Sequence, residues 1–279
     1  MGLWYDETFD GHTRFGLRVN ETLFSQRSRF QKVEVIDTQG FGRVLVVDDV
    51  FMTSEYDEFL YHEMIVHPAL TTAPRIDRVL VIGGGDGGTV REVLRYAEVR
   101  SCMMIELDEM VVEVSKRYLT GIGTAWDDPR LDVRFIDGID YVKNSDDPAY
   151  DVILLDGTDP VGPGSVLFDE GFYEGCKRML AEDGVVALQS ASPLLMMDVF
   201  VETQRKLRKL FGEVHPYLGP VPLYGTGTWS WTWCSDTGEP LRPIKDRQDA
   251  IVEGCKAYNP DLHQAAFALP NYVKRALKL

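Results

Sequence analysis

Basic side chains are scarce in this chain: 29 Lys and Arg stand against 44 Asp and Glu, a net charge of -15 over 279 residues. Such a balance disfavours phosphate backbones and anionic membranes as partners and suits cationic ligands. Cysteine is sparse too. Cys102, Cys176, Cys234 and Cys255 show no C-x-x-C spacing and lie in apolar or helical settings, which argues against a metal site or a disulfide framework and for a reducing compartment. No apolar run approaches the roughly 18 residues that a membrane span needs. The N-terminal stretch MGLWYDETFDG is acidic and lacks the apolar segment of a signal peptide. A soluble, cytoplasmic protein is therefore expected, without repeats or low-complexity segments.

What the chain does have is a glycine-dense centre. VLVIGGGDGG, Val79 to Gly88, reads as strand, turn and helix start, and Gly83, Gly85 and Gly88 satisfy G-x-G-x-x-G. That spacing lets the backbone turn tightly and approach a ligand closely. Asp86 within the loop would repel a pyrophosphate, so the loop is suited to a cation rather than to a dinucleotide. Glu106 ends the next apolar run, CMMIE, where a ribose-binding carboxylate belongs.

Along the chain, Phe15 to Val19, Phe30 to Ile36 and Arg43 to Val47 read as short strands of a small antiparallel sheet. Ser54 and Asp57 form a capping-box pattern ahead of a helix that Pro74 closes, with Tyr56, Phe59, Leu60, Met64 and His67 at helical spacing and Asp57 and Tyr61 on another face. The domain boundary is placed near Phe51 to Ser54, giving an N-terminal β domain of residues 1–53 and a second domain of residues 54–279. From there strands alternate with helices: strands at Ser101 to Leu107, Leu131 to Ile136, Tyr150 to Leu155 and Gly184 to Gln189, with a helix at Glu109 to Leu119 capped by Asp108, and others at Asp169 to Leu180 and Leu195 to Phe211. This alternation predicts an α/β fold with right-handed crossovers and a mostly parallel sheet. Trp229, Trp231 and Trp233 share one face of a late strand, read as core, and residues 247–279 read as amphipathic helices interrupted at Pro260 and Pro270.

Ligands of such a sheet bind at the carboxyl ends of its strands, where Asp86, Glu106, Asp137, Asp156 and Asp159 all fall. Clustered carboxylates demand positive charge or protons. Glu106 is suited to two ribose hydroxyls and Asp137 to an adenine amino group. Asp156 and Asp159, on a loop with Pro160, Gly162, Pro163 and Gly164, could orient an ammonium and accept its proton, which turns an amine into a nucleophile.

At these residues the chain resembles the spermidine synthase family of polyamine aminopropyltransferases. FQKVEVI, DEFLYHEMIVHPAL, VLVIGGGDGGTVREVL, MIELDEMVVEVSKRYL, YDVILLDGTDPVGPG, LFDEGFYEGCKRML and YNPDLHQAAFALPNYV are similar to family segments in family order, nearly full length. The resemblance implies a β domain followed by a Rossmann-like methyltransferase-type domain, in a homodimer or homotetramer. It implies transfer of the aminopropyl group of decarboxylated S-adenosylmethionine to an amine, typically putrescine, leaving 5'-methylthioadenosine, with no metal or separate cofactor. Carried over by position, Gln31, His62, Asp86, Glu106, Asp137 and Gly138 would bind the donor and Asp156 would be the base. Tyr61, Asp159 and Tyr224 would hold the acceptor, with Asp156 to Val166 as a gate.

Three positions depart from the family pattern. Met52 stands at a common glutamine and Ser165 at a common glutamate, and Ala191 lies where an acid is often found. These leave cadaverine, agmatine or spermidine as alternative acceptors. Putrescine N-methylation, a nicotinamide-dependent dehydrogenase and a non-catalytic polyamine-binding protein are the rival readings; the acids at Asp86, Asp156 and Asp159 argue against the first two.

Overall fold

The structure, a computed structural model, describes residues 2–9, 11–147, 149–158, 169–225 and 227–279. Residues 3–54 form a five-stranded antiparallel sheet of β1 (Leu3–Phe9), β2 (Thr13–Arg27), β3 (Lys32–Thr38), β4 (Gly42–Val47) and β5 (Val50–Ser54), in that spatial order. The three expected strands are present. β1 and β5 are additions: LWYDETF carries charges within its alternation, and VFMTS is five residues long. One face of this sheet packs Val33, Val35, Leu45 and Val47 against Val111, Val114, Leu119 and Ile122, and the other gathers Leu17, Ile36, Val44 and Phe51 around Leu223.

Helix α1 (Glu58–Thr72) follows, and it departs from the expected single apolar stripe. All but two of its residues are buried, Phe59 and Leu60 being half-buried, while Tyr56 lies outside the helix and is 65% exposed. A helix enclosed on nearly all sides must satisfy its polar groups internally. The Thr71 and Thr72 hydroxyls donate to the carbonyls of His67 and Pro68, and Glu63 accepts the backbone N–H groups of Lys256, Ala257 and Tyr258. Pro68, inside the helix, has no N–H for the Met64 carbonyl, and the Tyr217 hydroxyl donates to that oxygen at 2.8 Å instead. Ser54 and Asp57 do bond, hydroxyl to carboxylate at 2.6 Å, and the other Asp57 oxygen accepts the Leu223 N–H. The capping box is thus a tether between the helix start and a late turn.

The second sheet runs in the order β11 (Glu213–Val221), β12 (Gly227–Ser235), β10 (Leu180–Gln189), β9 (Tyr150–Asp156), β6 (Arg78–Gly83), β7 (Ser101–Glu106), β8 (Leu131–Phe135). The five strands from β10 to β8 pair in parallel, and β12 is antiparallel to both β10 and β11. With the helices α2 (Gly88–Leu94), α3 (Glu109–Tyr118), α4 (Gly138–Asn144), α5 (Glu170–Met179) and α6 (Met197–Leu210) between strands, this is a Rossmann-like, methyltransferase-type arrangement. Two of its elements were not expected. HPYLGPV carries two prolines, and β11 is an edge strand, where proline is tolerated. Beyond the strand-end acid Asp137 a short helix, α4, follows, which Asp137 caps by accepting from Ile139 N–H at 2.8 Å. Trp231 and Trp233 are fully buried and Trp229 nearly so, in the core that α1 shares with the sheet. The chain closes with α7 (Lys245–Val252), α8 (Pro260–Ala266) and α9 (Asn271–Leu277), Pro260 opening the second and Pro270 capping the third.

Candidate active site

Strand register builds the site. Gly83 of β6 pairs with Asp156 of β9, and Ile82 with Ile105, the residue before Glu106 on β7. One row across three strands therefore carries Asp156, Gly83 and Glu106 to the carboxyl edge. On β8 the partner of Glu106 is Phe135, two residues before Asp137. The chain runs outward from β6 in one direction to β8 and then returns to β9 on the other side, so the crevice between β6 and β9 is the topological switch point.

The glycines of the turn make room for these side chains. Gly83 has φ +87°, and a Cβ there would lie 2.1 Å from the Asp156 carbonyl oxygen, which accepts the Gly84 N–H at 3.0 Å. A Cβ on Gly85 would fall 2.8 Å from Glu106 Oε2, and one on Gly88 2.2 Å from the His62 ring. The G-x-G-x-x-G spacing thus serves close approach of the loop to one strand-end acid after another and to a helix-borne histidine.

Asp86 accepts the Gly88 N–H at 2.8 Å through Oδ1 and faces His62 Nε2 at 3.2 Å through Oδ2. Burial alone would raise its pKa, but His62, the Gly88 amide and Arg91 hold it below the usual carboxylate range. Asp156 lies between two hydroxyls, Tyr61 at 2.7 Å and Thr89 at 2.6 Å. Burial and the negative charge of Asp86 push it up, overriding both hydrogen bonds. Two acids of one site are thereby separated: one firmly ionised, one inclined to take a proton. Burial, helped by the charges of Asp108 and Asp156, pushes Glu106 up to about 7 against the Asp108 amide that donates to it at 3.0 Å.

The remaining expected donor residues lie on the elements flanking this row. Asp137 is exposed and has one oxygen engaged in capping, and a Cβ on Gly138 would meet Ile82 at 2.7 Å. Gln31 ends a turn whose Ser28 hydroxyl donates to Asp108, the residue that caps α3 and bonds Glu106. Asp159 and Ser165, and with them most of the loop expected to act as a gate, lie outside the described residues.

Beside Asp156 opens a cleft lined by Tyr61, Met52, Tyr224, Trp229, Thr158 and Glu7, among others. Tyr61 is wedged between the rings of Tyr224 and Trp231, at 5.9 and 5.7 Å, and burial and Asp156 keep its hydroxyl protonated and donating. The Tyr224 hydroxyl donates to the Met52 carbonyl at 2.8 Å, and both residues line the cleft. Ala191 is fully buried with φ +64°, and its carbonyl accepts from the Ser230 hydroxyl.

A model of the spermine/spermidine synthase domain matches residues 58–245, and one of the spermidine synthase tetramerisation domain matches residues 3–55. The chain belongs to the spermine/spermidine synthase family. It is 44% identical over 277 residues to a polyamine aminopropyltransferase of Prochlorococcus marinus (strain MIT 9313), covering 98% of this chain and 96% of the relative. A polyamine aminopropyltransferase of Alkaliphilus metalliredigens (strain QYMF) is 40% identical over 284 residues, covering 100% and 99%. Among solved structures, spermidine synthase in complex with the transition-state analogue AdoDATO superposes with a TM-score of 0.95 at 36% identity, covering 99% of this chain and 95% of that one. Spermidine synthase from Thermotoga maritima gives 0.94 at 35%, covering 99% and 94%. Like its family, the chain is an enzyme of the transferase class. No helix among the described residues is long and apolar enough to cross a membrane.

Several family-site neighbours escape sequence reasoning. Thr89 follows the last motif glycine directly, which marks a side chain at the helix start facing the crevice. Glu58 stands four residues before His62, a helical spacing that announces contact. Glu7 lies on a short, mostly exposed strand and gives no such signal.

Proposed function

We propose that the protein is a spermidine synthase: it transfers the aminopropyl group of decarboxylated S-adenosylmethionine to putrescine, giving spermidine and 5'-methylthioadenosine. The observation that carries this reading is the shared row of Asp156 and Glu106 around a glycine turn that also presents Asp86, a nucleoside site with two further acids on one side. Glu106 takes the ribose hydroxyls, Asp137 and Gly138 the adenine, and Gln31 and His62 flank the donor. Asp86 pairs with the aminopropyl ammonium. Ordinary S-adenosylmethionine would bring a carboxylate to that same acid, so the donor is selected by repulsion as much as by attraction.

The acceptor lies in the cleft, its methylene chain against Tyr224, Met52 and Trp229 and its far ammonium toward Glu7. Its near amine faces Asp156, with Asp159 as a further acidic contact. Asp156 accepts a proton from that amine, the nitrogen attacks the carbon beside sulfur, and the C–S bond breaks. The electron pair passes to sulfur, which loses its positive charge, and the proton leaves through Asp156. Alignment of the two reactants supplies up to about 7–11 kcal/mol of barrier reduction, and the base a smaller factor. The chemistry draws on side chains alone, without a metal. The match of residues 3–55 to a tetramerisation domain supports a homo-oligomer. Calorimetric titration with decarboxylated and ordinary S-adenosylmethionine tests the assignment: the decarboxylated donor binds the tighter by at least tenfold, and equal affinities would refute it.

A further inference from the structure

Behind Asp86 stands a row of charges that the transfer chemistry does not itself use. On α1, Glu58 Oε2 lies 2.7 Å from His62 Nδ1, one helical turn away. Arg91 of α2 grips both oxygens of Glu58, at 3.1 and 2.9 Å, and is itself fixed by the Ile122 carbonyl and by Glu92. His62 therefore has a carboxylate at each ring nitrogen, Glu58 at one and Asp86 at the other. A neutral imidazole donates from one nitrogen only, so both contacts are satisfied only by the imidazolium. Among the described residues, the other ionisable groups around the ring are Tyr61 on the same helix and Asp156 at the end of β9, and α2 meets the ring through Gly88. The His62 and Glu58 side chains are 2% and 5% exposed, so this pair is shielded from solvent.

We propose that Glu58, braced by Arg91, is a positioning residue of the donor site: by keeping His62 a two-handed cation, it holds the Asp86 carboxylate where the donor's ammonium must meet it. The proposal rests on the aminopropyl-transfer reading. Without the charge of Glu58 the imidazolium is less favoured, and a neutral His62 keeps only an Nε2–H hydrogen bond to Asp86 Oδ2, losing the ion-pair attraction that fixes the acid. Burial opposes the cation, yet Asp86 and Glu58 together raise His62 well above the ordinary histidine range. Glu58→Gln keeps the shape but removes one of the two carboxylates that raise His62, so the imidazolium is less favoured than in the wild type although Asp86 still supports it.

The test is kcat/KM for decarboxylated S-adenosylmethionine at pH 6 to 8.5 in Glu58→Gln, divided at each pH by the wild-type value. This ratio cancels the ionisation of acceptor and of Glu106. It falls at least tenfold as pH rises, through the donor KM, and recovers when pH is lowered; Glu58→Asp, which keeps the charge, shows no such slope. Binding of 5'-methylthioadenosine, which has no ammonium, is the same in Glu58→Gln and wild type across the range. A ratio independent of pH, or an equal loss for methylthioadenosine, overturns the proposal. Absence of methylthioadenosine production by the wild type would instead sink the functional reading. Nitrogen NMR of wild-type His62 at pH 8 decides the inference even if Glu58→Gln does not fold: two protonated ring nitrogens uphold it and one refutes it.

Discussion

Glu106 gives the most quantitative handle on the donor site. Burial and nearby acids push it up to about 7, so in the free protein it passes from mostly protonated to mostly ionised between pH 6 and pH 8. Only the ionised form accepts hydrogen bonds from both ribose hydroxyls. For a group of pKa 7 the ionised fraction is about 10% at pH 6 and about 90% at pH 8, so nucleoside affinity is expected to rise roughly tenfold over that range. 5'-Methylthioadenosine is the right probe because it carries ribose and adenine but no ammonium, leaving the ion pair with Asp86 out of the comparison. In isothermal calorimetry its Kd falls roughly tenfold from pH 6 to 8, with about one proton released per ligand bound at pH 6. Glu106→Gln loses the charge-assisted bonds, about 2 kcal/mol or some thirtyfold in Kd, and abolishes the pH dependence. The linkage has a second face. A carboxyl whose folded value exceeds its unfolded one costs the free protein stability as pH rises from about 4.5 to about 7. A flat affinity profile between pH 6 and 8 in the wild type would refute this account of Glu106.

Substitutions at four other positions test separate parts of the site and fold. Asp156→Asn lowers kcat by about 10²–10⁴ and leaves the donor KM within a few-fold, read by steady-state kinetics; parallel losses in both would contradict its role as base. Asp86→Asn narrows the preference for decarboxylated over ordinary S-adenosylmethionine by about tenfold or more, and an unchanged ratio of affinities would refute charge selection. Glu7→Gln raises the putrescine KM about tenfold without altering methylthioadenosine binding; an unaffected KM would remove Glu7 from the acceptor cleft. Glu63→Ala leaves the N–H groups of Lys256, Ala257 and Tyr258 without their acceptor and costs about 3 kcal/mol in urea denaturation, Glu63→Gln costing less. A loss below about 1 kcal/mol would show that this contact does not hold the C-terminal segment.

The site row was legible because its signals are local. An apolar run ending in an acid, three times over, needs only strand register to bring Asp156 and Glu106 level with the glycine turn. The buried strands and the three indoles of β12 were readable for the same reason, periodicity expressing burial directly. What the sequence hid depends on partners remote in the chain. Nothing local says that α1 is enclosed on nearly all sides, because its polar residues find their partners in α2, β11 and the C-terminal segment. The edge position that tolerates Pro216 and Pro220 in β11 is likewise a property of the sheet, not of the segment. Gln31 and Tyr224 entered through family resemblance alone; the structure places them by the Ser28–Asp108 bond and the Met52 carbonyl.

The central claim is that a cluster of acids around a nucleoside pocket aligns an amine with the carbon beside a sulfonium. Its most direct test is to supply the purified protein with decarboxylated or ordinary S-adenosylmethionine, together with putrescine, cadaverine, agmatine or spermidine, and to weigh the products by mass spectrometry. Spermidine and 5'-methylthioadenosine in equal amounts, from the decarboxylated donor and putrescine first among the amines, is the predicted result. A methylated amine with S-adenosylhomocysteine, or bound substrates with no product, would contradict it.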